Sequence, residues 1–212
     1  EMSGGAKNVA ARDRVFENTR HGFRIKSTDS RGGYIEDIRA ENIAMHNISS
    51  DVLTIDFAYN SALTSDVKKE PVLKNILMRN IYGTGIGNSS ADAIINIDGL
   101  LDSLMENIRF EDISFTSSAA AVHLKSAKNV TLKNIHITTA DGPTYKVERG
   151  QNISIEDSTC RDDADPCFLI TGKRTKDILL HGIDFSNVVR AIEMLGRVHQ
   201  QAVTITKAQA QN

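Results

Sequence analysis

Polar and β-branched positions fall along this chain in a phrase that keeps returning. An Asn or Asp is followed by Val or Ile, and a second Asn or Asp stands five positions after the first. The phrase reads Asn8-Val9 with Asp13, Asp37-Ile38 with Asn42, Asn75-Ile76 with Asn80, and Asn107-Ile108 with Asp112. It continues as Asn129-Val130 with Asn134, Asn152-Ile153 with Asp157, and Asp177-Ile178 with Gly182. A degenerate eighth copy lies near Val203-Thr204-Ile205. Self-similarity at this spacing predicts a solenoid.

Each copy carries strand character. In Val130-Thr131-Leu132-Lys133 the period of two puts Val130 and Leu132 on one face and Thr131 and Lys133 on the other. The later copies recur about every 22 to 25 residues, too short for a βαβ unit of roughly 30. They suit coils of short strands and turns, stacked so that each strand pairs with its equivalent above and below. The Asn positions then stack as a ladder of side-chain amides, and the β-branched residues point into a dry core. Wider gaps at 27–33, 61–71 and 83–93 read as inserted loops. The expected fold class is all-β: a right-handed parallel β-helix of about seven to eight coils, with residues 1–212 as one domain. A β-sandwich does not explain one phrase repeated this regularly.

Composition narrows the function classes. The net charge of −2 implies neither a nucleic-acid nor a membrane-surface partner. No apolar run approaches the roughly 18 residues of a membrane span, and no targeting signal is visible. Glu1 is not an initiator Met, so the chain is expected to be cut from something longer on its N-terminal side. The first coil (Val9, Val15, Phe16) would then present an open core, and self-association through that coil is expected. Cys160 and Cys167 read as small residues flanking a turn, with a local disulfide or a metal loop as alternatives. Of the four sequons, at Asn47, Asn88, Asn129 and Asn152, three arise from the repeat phrase, so they are weak evidence of glycosylation. The six His residues show no metal-ligand spacing, and no metal or cofactor is expected.

The strongest chemical signal is His21-Gly22-Phe23-Arg24-Ile25-Lys26-Ser27. On a strand, Arg24 and Lys26 share the outer face while Ile25 faces the core. Arg offers a planar fork for a carboxylate, and Lys a mobile point charge. The competing reading is a solvated face neutralised by Glu36, Asp37 or Asp29.

Gly22-Phe23-Arg24-Ile25-Lys26, with Ser3-Gly4-Gly5 and Asn8-Val9 before it and Arg31-Gly32-Gly33-Tyr34-Ile35 and Asn42-Ile43 after it, resembles the C-terminal half of family 28 glycoside hydrolases, the polygalacturonases and their relatives. The opening Glu1-Met2-Ser3-Gly4-Gly5 is similar to the bacterial branch. The resemblance implies a right-handed parallel β-helix, a periplasmic or extracellular location, and inverting hydrolysis of galacturonan or rhamnogalacturonan. It implies that Arg24 and Lys26 hold galacturonate carboxylates, and that Tyr59 stands in the same cleft.

The same resemblance places the catalytic carboxylates in Asn-Thr-Asp and Asp-Asp motifs and a cleft His in Gly-His-Gly, all upstream of this chain. Asp162-Asp163 falls several coils too late, in an expected turn. No catalytic residue is therefore expected within the chain, which alone should be inactive. Three alternatives stand beside the hydrolase: a non-catalytic polysaccharide-binding β-helix, a Ca²⁺-dependent lyase using Arg24 as base, and a structural β-helix of the tail-fibre type.

Overall fold

The computed structural model describes residues 4–57, 69–86, 93–117, 120–140 and 142–207. Long and short strands alternate. In chain order they are β1 (Gly5–Glu17), β2 (Phe23–Lys26), β3 (Tyr34–His46), β4 (Leu53–Asp56) and β5 (Val72–Ile86). They continue with β6 (Ile95–Asp98), β7 (Leu104–Ser117), β8 (Val122–Lys125), β9 (Lys128–Thr138) and β10 (Tyr145–Glu148). The last are β11 (Gln151–Glu156), β12 (Phe168–Thr171), β13 (Lys176–His181), β14 (Ile192–Leu195) and β15 (Val203–Thr206). The odd-numbered strands form one 8-stranded parallel sheet in sequence order, and the even-numbered strands form a 7-stranded parallel sheet. One turn of chain therefore visits both sheets before climbing to the next level. The architecture is a right-handed parallel β-helix.

The repeat phrase marks the corners of the coil. Every Asn and Asp of the phrase, from Asn8 to Asp177, has a left-handed backbone with φ of 48–59°. Gly182 completes the set at φ 65°. L-residues avoid this region, and Asn and Asp tolerate it best because their short polar side chains bond locally. The corners recur once more in the first two coils, at Asn18 and Asn47. The corner amides form the expected ladders. Asn42 donates to Asp13 at 2.9 Å, and Asn80 donates to Asn42 at 2.9 Å. Asn75 donates to Asp37 at 2.8 Å, and Asn107 to Asn75 at 3.0 Å. Asn129 donates to the Met105 carbonyl and accepts from Asn152 at 2.7 Å.

Between corners the alternation restarts, so the core is a set of vertical stacks. Ile38, Ile76, Ile108, Val130, Ile153 and Ile178 stand in register and are all buried. On the short sheet Ile25, Ile55, Ile97, Leu124, Val147 and Ile170 do the same. Six fully buried aliphatic side chains contribute on the order of 10–15 kcal/mol of burial free energy before entropy is charged against them. Aromatics join them: Tyr145 stacks on Phe168 at 4.6 Å between ring centroids, and Phe185 meets Phe168 edge-on at 6.0 Å.

Three expectations need correction. Gly83-Thr84-Gly85-Ile86 is not the start of a loop but the end of β5. Glycine there serves close packing, since a Cβ on Gly83 would sit 2.1 Å from the Met45 carbonyl oxygen. Val15 does not face the core. Asp13 resets the alternation, so Arg14 and Phe16 stand over buried Ile43 and Met45, while Val15 lies in the outer row and is 68% exposed. Cys160 and Cys167 form a disulfide, with their Cα atoms 5.6 Å apart. No described helix is long and apolar enough to cross a membrane.

Candidate functional site

The site grows from β2. Ile25 points inward and is buried, which turns Arg24 and Lys26 outward on the short sheet. Gly22 lets the chain enter this strand tightly: a Cβ there would lie 2.5 Å from the Val52 carbonyl oxygen of the next coil. The Gly22 amide donates to the Asp51 carbonyl at 2.8 Å, and the Phe23 amide to the Val52 carbonyl at 2.8 Å. These bonds set β2 directly under β4, with Arg24 opposite Thr54 and Lys26 opposite Asp56.

Arg24 is clamped. Its Nη1 lies 3.1 Å from Asp51 Oδ2, and its Nη2 lies 3.0 Å from Asp56 Oδ2. Asp51 also meets His21 Nδ1 at 2.9 Å. Two carboxylates thus hold the Arg24 guanidinium from two sides before any ligand arrives. An acidic partner was expected, but not these. Glu36 and Asp37 pair with Lys7 instead, and Asp29 accepts from Thr28 Oγ1 and, through its carbonyl, from the Lys69 amide. Asp56 was legible in principle, because Leu53-Thr54-Ile55-Asp56 repeats the in-out pattern of Phe23-Arg24-Ile25-Lys26. Asp51 and His21 come from turns, where the repeat carries no signal.

The outer face of the short sheet continues as two rows. Arg24 leads to Thr54, Asn96, His123 and Lys146, and Lys26 leads to Asp56, Asp98, Lys125 and Glu148. Lys125 donates to Asp98 at 3.0 Å. A cavity of ≈ 250 Å³ opens beside β2, and Val9, Arg24, Ile25, Lys26, Ser27 and Ile38 are among the residues that line it. Tyr59 lies outside the described residues. Asp162 and Asp163 sit in an exposed turn inside the disulfide loop, where Asp162 accepts from Asn187. Among the described residues no group of three or more His, Cys, Asp or Glu is placed to hold a metal.

This arrangement sets two cationic side chains on one outer face, with Arg24 ion-paired to Asp51 and Asp56. Comparison with known proteins gives it a context. Residues 3–121 match the family model described as glycosyl hydrolases family 28. A grapevine (Vitis vinifera) protein named "Probable polygalacturonase" is 32% identical over 87 residues, which is 41% of this chain and 18% of the relative. The chain therefore spans under a fifth of the length of that relative. No solved structure matches it. The family match covers more than half of the chain and takes in β1 through the coil of β7, including Arg24 and Lys26, so this protein belongs to glycosyl hydrolases family 28.

Proposed function

We propose that this chain forms the substrate-holding portion of a hydrolase acting on galacturonic-acid-containing pectic polysaccharide by inverting hydrolysis. The observation that carries the reading is the pair Arg24 and Lys26, side by side on the outer face of a sheet, within the family-matched segment. The relative's printed name supports the substrate class. Arg24, held by Asp51 and Asp56, presents an oriented guanidinium to a uronate carboxylate. Lys26 adds a charge that follows the ligand. Tyr59 is assigned to the same cleft by the family resemblance. The disulfide suits an oxidising, extracytoplasmic compartment.

Inverting hydrolysis needs an acid and a base roughly 6.5–9.5 Å apart, with water between them. Asn-Thr-Asp and Gly-His-Gly do not occur in these residues, and Asp162-Asp163 is the sequence's Asp-Asp pair. Arg24 and Lys26 carry no carboxyl group and cannot serve as that pair. The reading is that this polypeptide binds without cleaving. A polysaccharide-binding β-helix without catalysis is the second reading, favoured by the same missing motifs.

Calorimetry with oligogalacturonate on the wild type and on Arg24→Ala with Lys26→Ala tests the site. Binding that vanishes in the double variant supports it, and binding that survives refutes it. Release of reducing ends by the pure chain would show that the catalytic groups lie within it.

A further inference from the structure

His21 stands in the turn between β1 and β2, one residue before Gly22, and Asp51 stands in the turn between β3 and β4. Backbone bonds hold the two turns against each other. The Gly22 amide donates to the Asp51 carbonyl at 2.8 Å, and the Ser49 amide to the Thr19 carbonyl at 3.1 Å. Thr19 Oγ1 in turn donates to the His21 carbonyl at 3.1 Å. One carboxylate oxygen is shared as a result. Asp51 Oδ2 lies 2.9 Å from His21 Nδ1 and 3.1 Å from Arg24 Nη1. The imidazole and the guanidinium are therefore within about 6 Å of each other across one negative oxygen. His21 Nδ1 is shielded from solvent and has no aligned hydrogen bond among the described residues, so Asp51 meets it as a charge.

The elements that meet here carry Glu17 at the end of β1, Arg20 in the turn, and Arg24 and Lys26 on β2. They also carry His46 at the end of β3 and Asp56 on β4. Histidine is the side-chain class that changes charge between about pH 5 and 8, where arginine, lysine and carboxylates as classes do not. His21 is the histidine that shares a carboxylate oxygen with Arg24.

We propose that His21 strengthens uronate binding at Arg24 and Lys26 in acid, by taking up the Asp51 carboxylate when its ring is protonated. The proposal rests on the function proposed above. With a neutral ring, Asp51 sets its full charge against Arg24 and against any carboxylate arriving there. A proton on the ring adds one positive charge beside the pair and draws Asp51 toward the imidazole. A uronate carboxylate is still ionised at about pH 5. The ligand then meets more positive charge, and an Arg24 Nη1 less engaged by Asp51. His21 touches no substrate in this role and is a positioning residue that acts through Asp51.

The test is the pH profile of binding. Calorimetry with oligogalacturonate at about pH 5 and about pH 8, at low ionic strength, compares the wild type with two variants. His21→Asn is neutral at both values, and His21→Lys is positive at both. The His21 side chain is partly exposed, so both variants should keep the fold, and circular dichroism checks that.

The wild type should bind about three- to fivefold more tightly in acid, the effect of one partly exposed charge. His21→Asn should show the weaker affinity at both pH values, and His21→Lys the tighter one at both. A wild type with equal affinity at the two values, or a His21→Asn variant that keeps the gain, overturns the role of His21. A His21→Lys variant that matches His21→Asn overturns it too, by showing that shape rather than charge acts. Loss of binding in Arg24→Ala with Lys26→Ala upholds the primary site at the same time, so the two readings fail separately. A wild type that binds at neither pH overturns both.

Discussion

Arg24 donates to Asp56, one coil above it, at 3.0 Å, and Asp56 stands in register opposite Lys26. The cation pair therefore works against a fixed local carboxylate rather than in isolation. This relationship sets the sign of the first prediction. Asp56→Asn keeps the size of the side chain and one acceptor oxygen but removes its charge. Oligogalacturonate should then bind about three- to fivefold more tightly at low ionic strength, the effect of one partly exposed charge. The gain should fade at high salt. Calorimetry at two salt concentrations checks it. Weaker binding at both would show that Asp56 acts by holding the guanidinium in plane.

The corner ladder makes a stability prediction. Asn42 has φ 57°, donates to Asp13 and accepts from Asn80. Asn42→Ala loses both bonds and puts a plain Cβ residue in the left-handed region. Urea unfolding should show a loss of about 2 kcal/mol. Asn42→Gly removes the backbone strain alone and should recover about half of it.

Gly83 tests close packing in β5. A methyl there meets the Met45 carbonyl at 2.1 Å and the Phe115 ring at 2.7 Å. Gly83→Ala should destabilise by about 1–3 kcal/mol, the usual range for overpacking. A neutral result in a thermal melt would return this segment to the loop expected from its glycines.

Tyr145 is fully buried and donates to the Thr159 carbonyl at 3.0 Å. Burial pushes its phenol well above the ordinary value of 10.0. The folded state then keeps a proton that the unfolded chain releases. Stability from this residue is complete below pH 10.0 and falls as the pH rises past it, by about 1.4 kcal/mol per unit. Tyr145→Phe should lose about 1 kcal/mol at neutral pH, from the hydrogen bond, and show a shallower alkaline decline. Denaturant melts of both proteins from neutral to alkaline pH separate the two effects.

The disulfide closes a short loop that carries buried Ala164 and leads into Phe168 of the aromatic stack. Replacing Cys160 and Cys167 together by Ser should lower unfolding free energy by about 2 kcal/mol, the loop-closure value for this length. Unfolding with and without a reductant gives the same comparison on the wild type.

The sequence by itself determined the coil, its corners and its core stacks. Those features are local and repeated: each corner needs a residue that accepts positive φ, and each strand between corners needs alternation. Asn75, Ile76 and Asn80 state that requirement in their own coil, and Asn107, Ile108 and Asp112 state it again. Arg24 and Lys26 were legible for the same reason, since Ile25 between them fixes which way they face. The tertiary structure decided what meets across coils. Lys7 takes Glu36, and Arg24 takes Asp51 and Asp56. Gly83 lies in a strand because Met45 lies beside it. Cys160 meets Cys167 because the turn between them folds back. The early coils differ in length, so the sequence distance between vertical neighbours varies from level to level. Registers such as Lys26 over Asp56, and Asn96 beside His123, emerge only when the coils are stacked.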